Sequence, residues 1–139
     1  MFGKLPAYGL YCRHVHGLTL TDVRLGTDTP DGRHALVLDD VAGANISGLI
    51  CSSRPPAAPL VRMSGVNNIL VRGCQPDAPQ GTFLRVEGRE SRGISLTGND
   101  FSRVGQVSEC TAGTTPEALH AAGNIEKSRG QNRNGKDRQ

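Results

Sequence analysis

"HGLTLTDVRL" (16–25), "AGANISGLIC" (42–51), "VNNILVRGCQ" (66–75) and "SRGISLTGND" (91–100) are four versions of one phrase, and "PEALHAAGNI" (116–125) is a fainter fifth. Self-similarity at a fixed period marks a repeat architecture, in which each unit buries its apolar face only against its neighbours. Gly48, Gly73, Gly98 and Gly123 follow one another at intervals of 25 residues, and a step of 26 back from Gly48 falls on Asp22. Both residue types form turns, glycine because it accepts positive φ at no steric cost.

The apolar positions keep the same register. Leu18, Leu20 and Val23 align with Ala44, Ile46 and Leu49, then with Ile69, Val71 and Cys74, then with Ile94, Leu96 and Asn99. Each unit reads inward, outward, inward, the two-residue period of a short strand and too brief for a helix. A preceding strand in each unit is carried by Leu10 and Cys12, Leu36 and Leu38, Val61 and Met63, and Leu84 and Val86, with Val15, Val41 and Val66 between the two strands. The pattern predicts an all-β fold, a right-handed parallel β-helix (solenoid) of about four to five coils of roughly 25 residues.

One inward column of that helix is Cys12, Leu38, Met63 and Val86, which makes Cys12 a small core hydrophobe before it is a functional thiol. Leucine-rich repeats, the rival solenoid, require a regular leucine consensus and a helical return that these units lack. Proline and glycine punctuate the connections "GTDTPDGR" (26–33), "SSRPPAAP" (52–59) and "QPDAPQG" (75–81). "GRES" (88–91) stands where the spacing changes from 23, Met63 to Val86, to 25, Ile69 to Ile94. Residues 103–117 read as irregular, and Leu119 and Ala121 as a last, weak strand.

Eighteen glycines, eight prolines, three phenylalanines, two tyrosines and no tryptophan in 139 residues agree with a chain of short segments and many turns. The net charge of +3 is concentrated at one end, because residues 127–139 hold five of the sixteen cations and one of the thirteen anions, leaving 11 against 12 in residues 1–126. Two regions follow: β-helix coils over 1–126, and a polar, basic, disordered tail over 127–139. The tail, "KSRGQNRNGKDRQ", has no aromatic ring to stack on a base and no apolar face, so neither nucleic acid nor membrane is an expected partner. Cys12, Cys51, Cys74 and Cys110 lie 39, 23 and 36 residues apart, unlike the close pairs of zinc and redox motifs, and no metal or cofactor is expected. The first residues lack a basic region followed by a signal-length apolar run, and no stretch could span a membrane as a helix.

Asp39 and Asp40, in "HALVLDDVAGANISGL" (34–49), are the one adjacent pair of acids and the first candidates for catalysis. A glycosidase needs two carboxylates held roughly 5–9 Å apart across the scissile bond. Stacking instead places Asp39 between Arg13 and Ser64, and Asp40 between His14 and Gly65, so the expected arrangement is a cross-coil ion pair of Arg13 with Asp39 and a contact of His14 with Asp40. A catalytic Asp40 assisted by His14 is the sharper alternative. His14 and His16 share a strand face but make an incomplete metal site. Tyr8 and Tyr11 could stack on a sugar or simply form the rim of the first coil, and "NIS" (45–47) is a glycosylation sequon that includes the core position Ile46.

"MFGKLPAYGLYCRHVHGLTLTDVRL" (1–25) followed by "DGRHALVLDDVAGANISGL" (31–49) resembles the C-terminal coils of bacterial proteins of the polygalacturonase family, glycoside hydrolase family 28. The resemblance covers residues 1–50 well, extends in repeat style to about 100 and does not include the tail. It implies carbohydrate metabolism: parallel β-helix enzymes, extracytoplasmic or periplasmic, that hydrolyse galacturonide linkages of pectin-type polysaccharide with aspartates. The family's chemistry resides in Asn-x-Asp, Gly-Asp-Asp, Gly-His-Gly and Arg-x-Lys elements on successive coils. Here the only Asp-Asp follows Val37 and Leu38, and the coil before it offers Arg13 and His14, so no catalytic residue is carried over and no substrate-binding residue is identified. The resemblance implies that Met1 is an internal methionine and that the chain is a C-terminal structural segment, inactive alone. Independently, a solenoid needs a cap at each end and the first coil begins almost at once with "AYGLYC" (7–12), so the isolated chain is expected to self-associate through an open first-coil edge. A non-catalytic carbohydrate-binding or surface β-helix module is the alternative.

Overall fold

The computed structural model describes residues 5–53 and 58–127. Parallel strands wind into a β-solenoid of about five turns, as the repeat predicts. The first coil consists of β1 (Ala7–Thr21) and β2 (Arg24–Leu25), and the second of β3 (His34–Ser47) and β4 (Ile50–Cys51). The third has β5 (Val61–Ser64), β6 (Asn67–Arg72) and β7 (Gln75–Pro76). The fourth has β8 (Gln80–Glu87), β9 (Arg92–Thr97) and β10 (Asp100–Phe101). The fifth has β11 (Val104–Thr111), a 3-10 turn at Pro116–Ala118, β12 (Leu119–Ala122) and β13 (Ile125–Glu126). Residues 128–139, which include all but the first residue of the expected disordered tail, lie outside the described residues.

Register follows the apolar alternation. Cys12 lies opposite Leu38, Leu38 opposite Met63, and Met63 opposite Val86, and the column runs on to Cys110. Two further columns, Leu18–Ala44–Ile69–Ile94–Leu119 and Leu20–Ile46–Val71–Leu96–Ala121, line the second strand of each coil. Inward residues of the middle coils are sealed: Leu38, Met63, Val86 and Ile94 are 0% exposed. Phe83 and Phe101 fill the wider part of the interior, with ring centroids 4.7 Å apart.

Residues 103–117 correct the sequence reading, for β11 is a regular strand running parallel to β8 from Val104 opposite Gln80 to Thr111 opposite Glu87. Its apolar signal is weak because Ser108 and Cys110 stand where β8 has Leu84 and Val86. What orders it is the edge of β8, whose backbone N–H and C=O groups need partners. Leu119 and Ala121 do form the expected last strand, against β9.

Two devices hold each coil in phase. At the turn after the second strand, Asp22, Gly48, Gly73, Gly98 and Gly123 all take positive φ, between 54° and 74°. A Cβ on Gly48 would sit 2.5 Å from Oδ1 of the exposed Asp22 side chain, which would turn aside, so what favours glycine there is the left-handed backbone. One residue further on, the column Val23–Leu49–Cys74–Asn99–Asn124 turns from apolar to amide. The Oδ1 of buried Asn99 accepts the N–H of Cys74 at 2.9 Å, and its Nδ2 donates to the carbonyl of Val71 at 3.1 Å and to Oδ1 of Asn124 at 2.9 Å. Asn124 repeats the pattern one coil on, accepting the N–H of Asn99 and donating to Leu96, both at 2.9 Å.

Candidate functional site

Asp39 and Asp40 end the first half of β3, where the chain turns a corner on left-handed backbone. His14, Asp40 and Gly65 take φ of 58°, 59° and 63° at this corner in three successive coils. The left-handed step sends Asp40 away from Asp39, so each acid meets a different partner. Arg13 Nε lies 3.6 Å from Asp39 Oδ2, and His14 Nδ1 lies 2.6 Å from Asp40 Oδ2. Both pairs are the cross-coil contacts that stacking predicts. All four side chains are 39–67% exposed, so each pair contributes roughly 0–1 kcal/mol.

The same outer face carries a second charged group that the reading of the sequence did not single out. Tyr11, Val37, Arg62, Arg85 and Glu109 form one outward column, and Arg13, Asp39, Ser64, Glu87 and Thr111 the next. Arg62 reaches Glu87 at 3.0 Å, and Arg85 reaches Glu109 at 2.6 Å and Glu87 at 4.0 Å. Asp39, Glu87 and Glu109 therefore each face an arginine. The geometry of this face is that of ion pairs holding coils together.

The remaining candidates are placed as follows. His16 is exposed, in register with Ala42, and among the described residues no three His, Cys, Asp or Glu side chains converge as metal ligands. Tyr8 turns inward: its hydroxyl donates to the carbonyl of Ser52, and burial holds its pKa at about 12. Tyr11 is the exposed ring among the described residues, 36% open beside Arg13. Asn45 stands between Thr19 and Leu70 with its Oδ1 buried and without a hydrogen-bond partner, and Ile46 is core. All four cysteines are free thiols; Cys51 and Cys74 are buried, with burial pushing the Cys51 thiol up to about 12, whereas Cys12 and Cys110 are half-buried at the two ends of one column.

The ends of the solenoid differ from its middle. In β3 the inward Leu36, Leu38, Val41, Ala44 and Ile46 are 0–7% exposed, while their counterparts Leu10, Cys12, Val15, Leu18 and Leu20 in β1 are only partly buried. At the other end, Gln106, Ser108, Glu109, Cys110, Pro116 and Leu119 line an open cavity of about 500 Å³. Comparison with known protein families, with curated proteins and with solved structures finds no match to this chain.

Proposed function

We propose that these coils are a non-catalytic, structural segment of a polygalacturonase-like β-helix that acts on pectin-type polysaccharide, and that they join the rest of it by coil-on-coil stacking at β1. The observation that supports this reading is the incomplete burial of the first coil. Its inward column residues are as apolar as those of β3 yet only partly buried, and among the described residues β1 has a strand neighbour on one side, β3. Completing the burial of Leu10, Val15, Leu18 and Leu20 would contribute on the order of 1 kcal/mol each, about half the value of burying such a side chain outright. A further parallel coil of the same period supplies that cover and satisfies the free edge of β1, which otherwise invites uncontrolled pairing.

The outer face supports the non-catalytic part of the proposal. Asp39, Glu87 and Glu109 are held in cross-coil ion pairs, and among the described residues Tyr11 is the exposed tyrosine or phenylalanine ring open to a sugar, which gives the carbohydrate-binding alternative little contact area. The test is to read the coding DNA upstream of the Met1 codon and assay the product. An upstream frame that adds coils of about 25 residues bearing the Gly-Asp-Asp, Gly-His-Gly and Arg-x-Lys elements, with reducing-sugar release from polygalacturonate by the longer protein and none by residues 1–139, is the expected result. A stop codon and ribosome-binding site immediately upstream would refute it.

A further inference from the structure

A polar pocket of about 100 Å³ lies where β2, β4 and β7 end, and we propose that it binds a hard divalent cation, Ca²⁺, which ties three coils together. Leu25, Cys51 and Pro76 form one column of paired strand residues. The residues that follow them, Gly26, Ser52 and Asp77, line the pocket together with Thr27. The N–H of Asp77 still bonds the carbonyl of Cys51, at 3.1 Å, so the ladder of the strands continues into the pocket wall. The side chains that line the pocket carry oxygen and no nitrogen.

Asp77 is the residue that asks for a ligand. Its Oδ1 is buried and has no hydrogen-bond partner, while its Oδ2 lies 3.6 Å from Nη2 of Arg24, a side chain 71% exposed. A buried carboxylate oxygen without a donor is costly, and in a native structure it marks the place of an ion or a water. The surroundings favour the ion. The Tyr8 hydroxyl gives its proton to the carbonyl of Ser52 and lies 3.4 Å from that of Leu25. Acceptors therefore outnumber donors here, and a cation satisfies acceptors alone. Ca²⁺ takes about six to eight oxygens from carboxylates, carbonyls and waters in irregular arrangements, whereas Mg²⁺ demands a near-ideal octahedron. The pocket has room for the waters that complete the shell. One carboxylate, partly answered by Arg24, makes a weak site, with a Kd of about 1 mM, in the range of extracellular modules. With a single acid it differs from a cluster of three acidic, histidine or cysteine ligands, of which the described residues hold none.

Purified full-length chain, stripped with EDTA, is titrated with CaCl₂ by calorimetry and melted at rising CaCl₂ concentration. Expected are a single site and, at about 10 mM CaCl₂ with a Kd of about 1 mM, a rise in Tm of about 4–6 °C. MgCl₂ should give clearly less. Asp77→Asn should lose the rise, and Arg24→Ala should tighten binding by removing a competing cation. Asp40→Asn, which alters an exposed acid outside the pocket, should leave the rise unchanged. Binding that survives in Asp77→Asn, or equal effects of CaCl₂ and MgCl₂, overturns the site. Absence of any rise in the folded parent chain also overturns it, and leaves water as the occupant of the pocket. Should Asp77→Asn fail to fold, Arg24→Ala decides: tighter binding than in the parent supports the site, and unchanged binding overturns it.

Discussion

Replacing Asn99 with alanine removes one side chain and leaves a backbone group of the neighbouring coil without its partner. The N–H of Cys74 loses the amide oxygen that accepts it, in a position where Asn99 is 1% exposed and Cys74 0%, while the carbonyl of Val71 loses one of its donors but stays within the paired strand β6. Asn124 keeps the N–H of Asn99 as a donor to its Oδ1. A buried polar group left unpaired costs about 1–3 kcal/mol, a sizeable part of the roughly 5–15 kcal/mol that typically holds a domain folded. With a urea slope near 2 kcal/mol/M, the midpoint of unfolding falls by about 0.5–1.5 M. Asn124→Ala serves as the control: Asn124 is partly exposed in the last coil, where water can replace its bonds, and the loss should be visibly smaller. A midpoint for Asn99→Ala within 0.3 M or so of the parent, below what one orphaned group costs at that slope, would refute the view that the amide column joins the coils.

Three further outcomes are expected. Gly48→Ala places a Cβ 2.5 Å from the exposed Asp22 carboxylate, which can rotate aside, and Gly98→Ala meets open space on the same left-handed backbone; both should lose about 1–2 kcal/mol for conformation, and urea melts should show similar losses for the two. Asp39→Asn and Arg13→Ala, alone and together, should give a double-mutant coupling of no more than about 1 kcal/mol, as for any exposed pair. The Cys51 thiol and the Tyr8 hydroxyl are both raised to about 12 by burial, from 9 and 10. Their contribution is whole below those unperturbed values and is lost as pH rises through about 12. The urea midpoint should therefore fall from about pH 9 upward, and Cys51→Ala and Tyr8→Phe should each flatten that fall; an unchanged slope in both would sink the assignment.

Inward residues were legible in the sequence because burial permits few residue types, and few types recurring at one spacing are visible by eye. Leu38, Met63 and Val86 can be aligned without a structure for that reason. The ion pairs Arg62–Glu87 and Arg85–Glu109 were not read, since an outward position tolerates almost any polar residue. Applying the 23- to 26-residue spacing to charged positions finds them, just as it places Arg13 over Asp39. The left-handed column Gly17–Gly43–Asn68–Gly93 has the same regular spacing and was hidden by its asparagine. β11 was missed because its order comes from the strand beside it, and Ser108 and Cys110 carry little of the pattern themselves.

The positive-φ turn at Asp22, Gly48, Gly73, Gly98 and Gly123 acts as a point of resynchronisation. Whatever path a coil takes through its connections, it returns to the same backbone state at the same place, so differences in length do not accumulate along the stack. Insertions made elsewhere in a coil are thereby uncoupled from the next one. The connection at 26–33 is accordingly a place where a foreign segment could be grafted, whereas a substitution at the turn itself weakens the point at which a coil regains its phase.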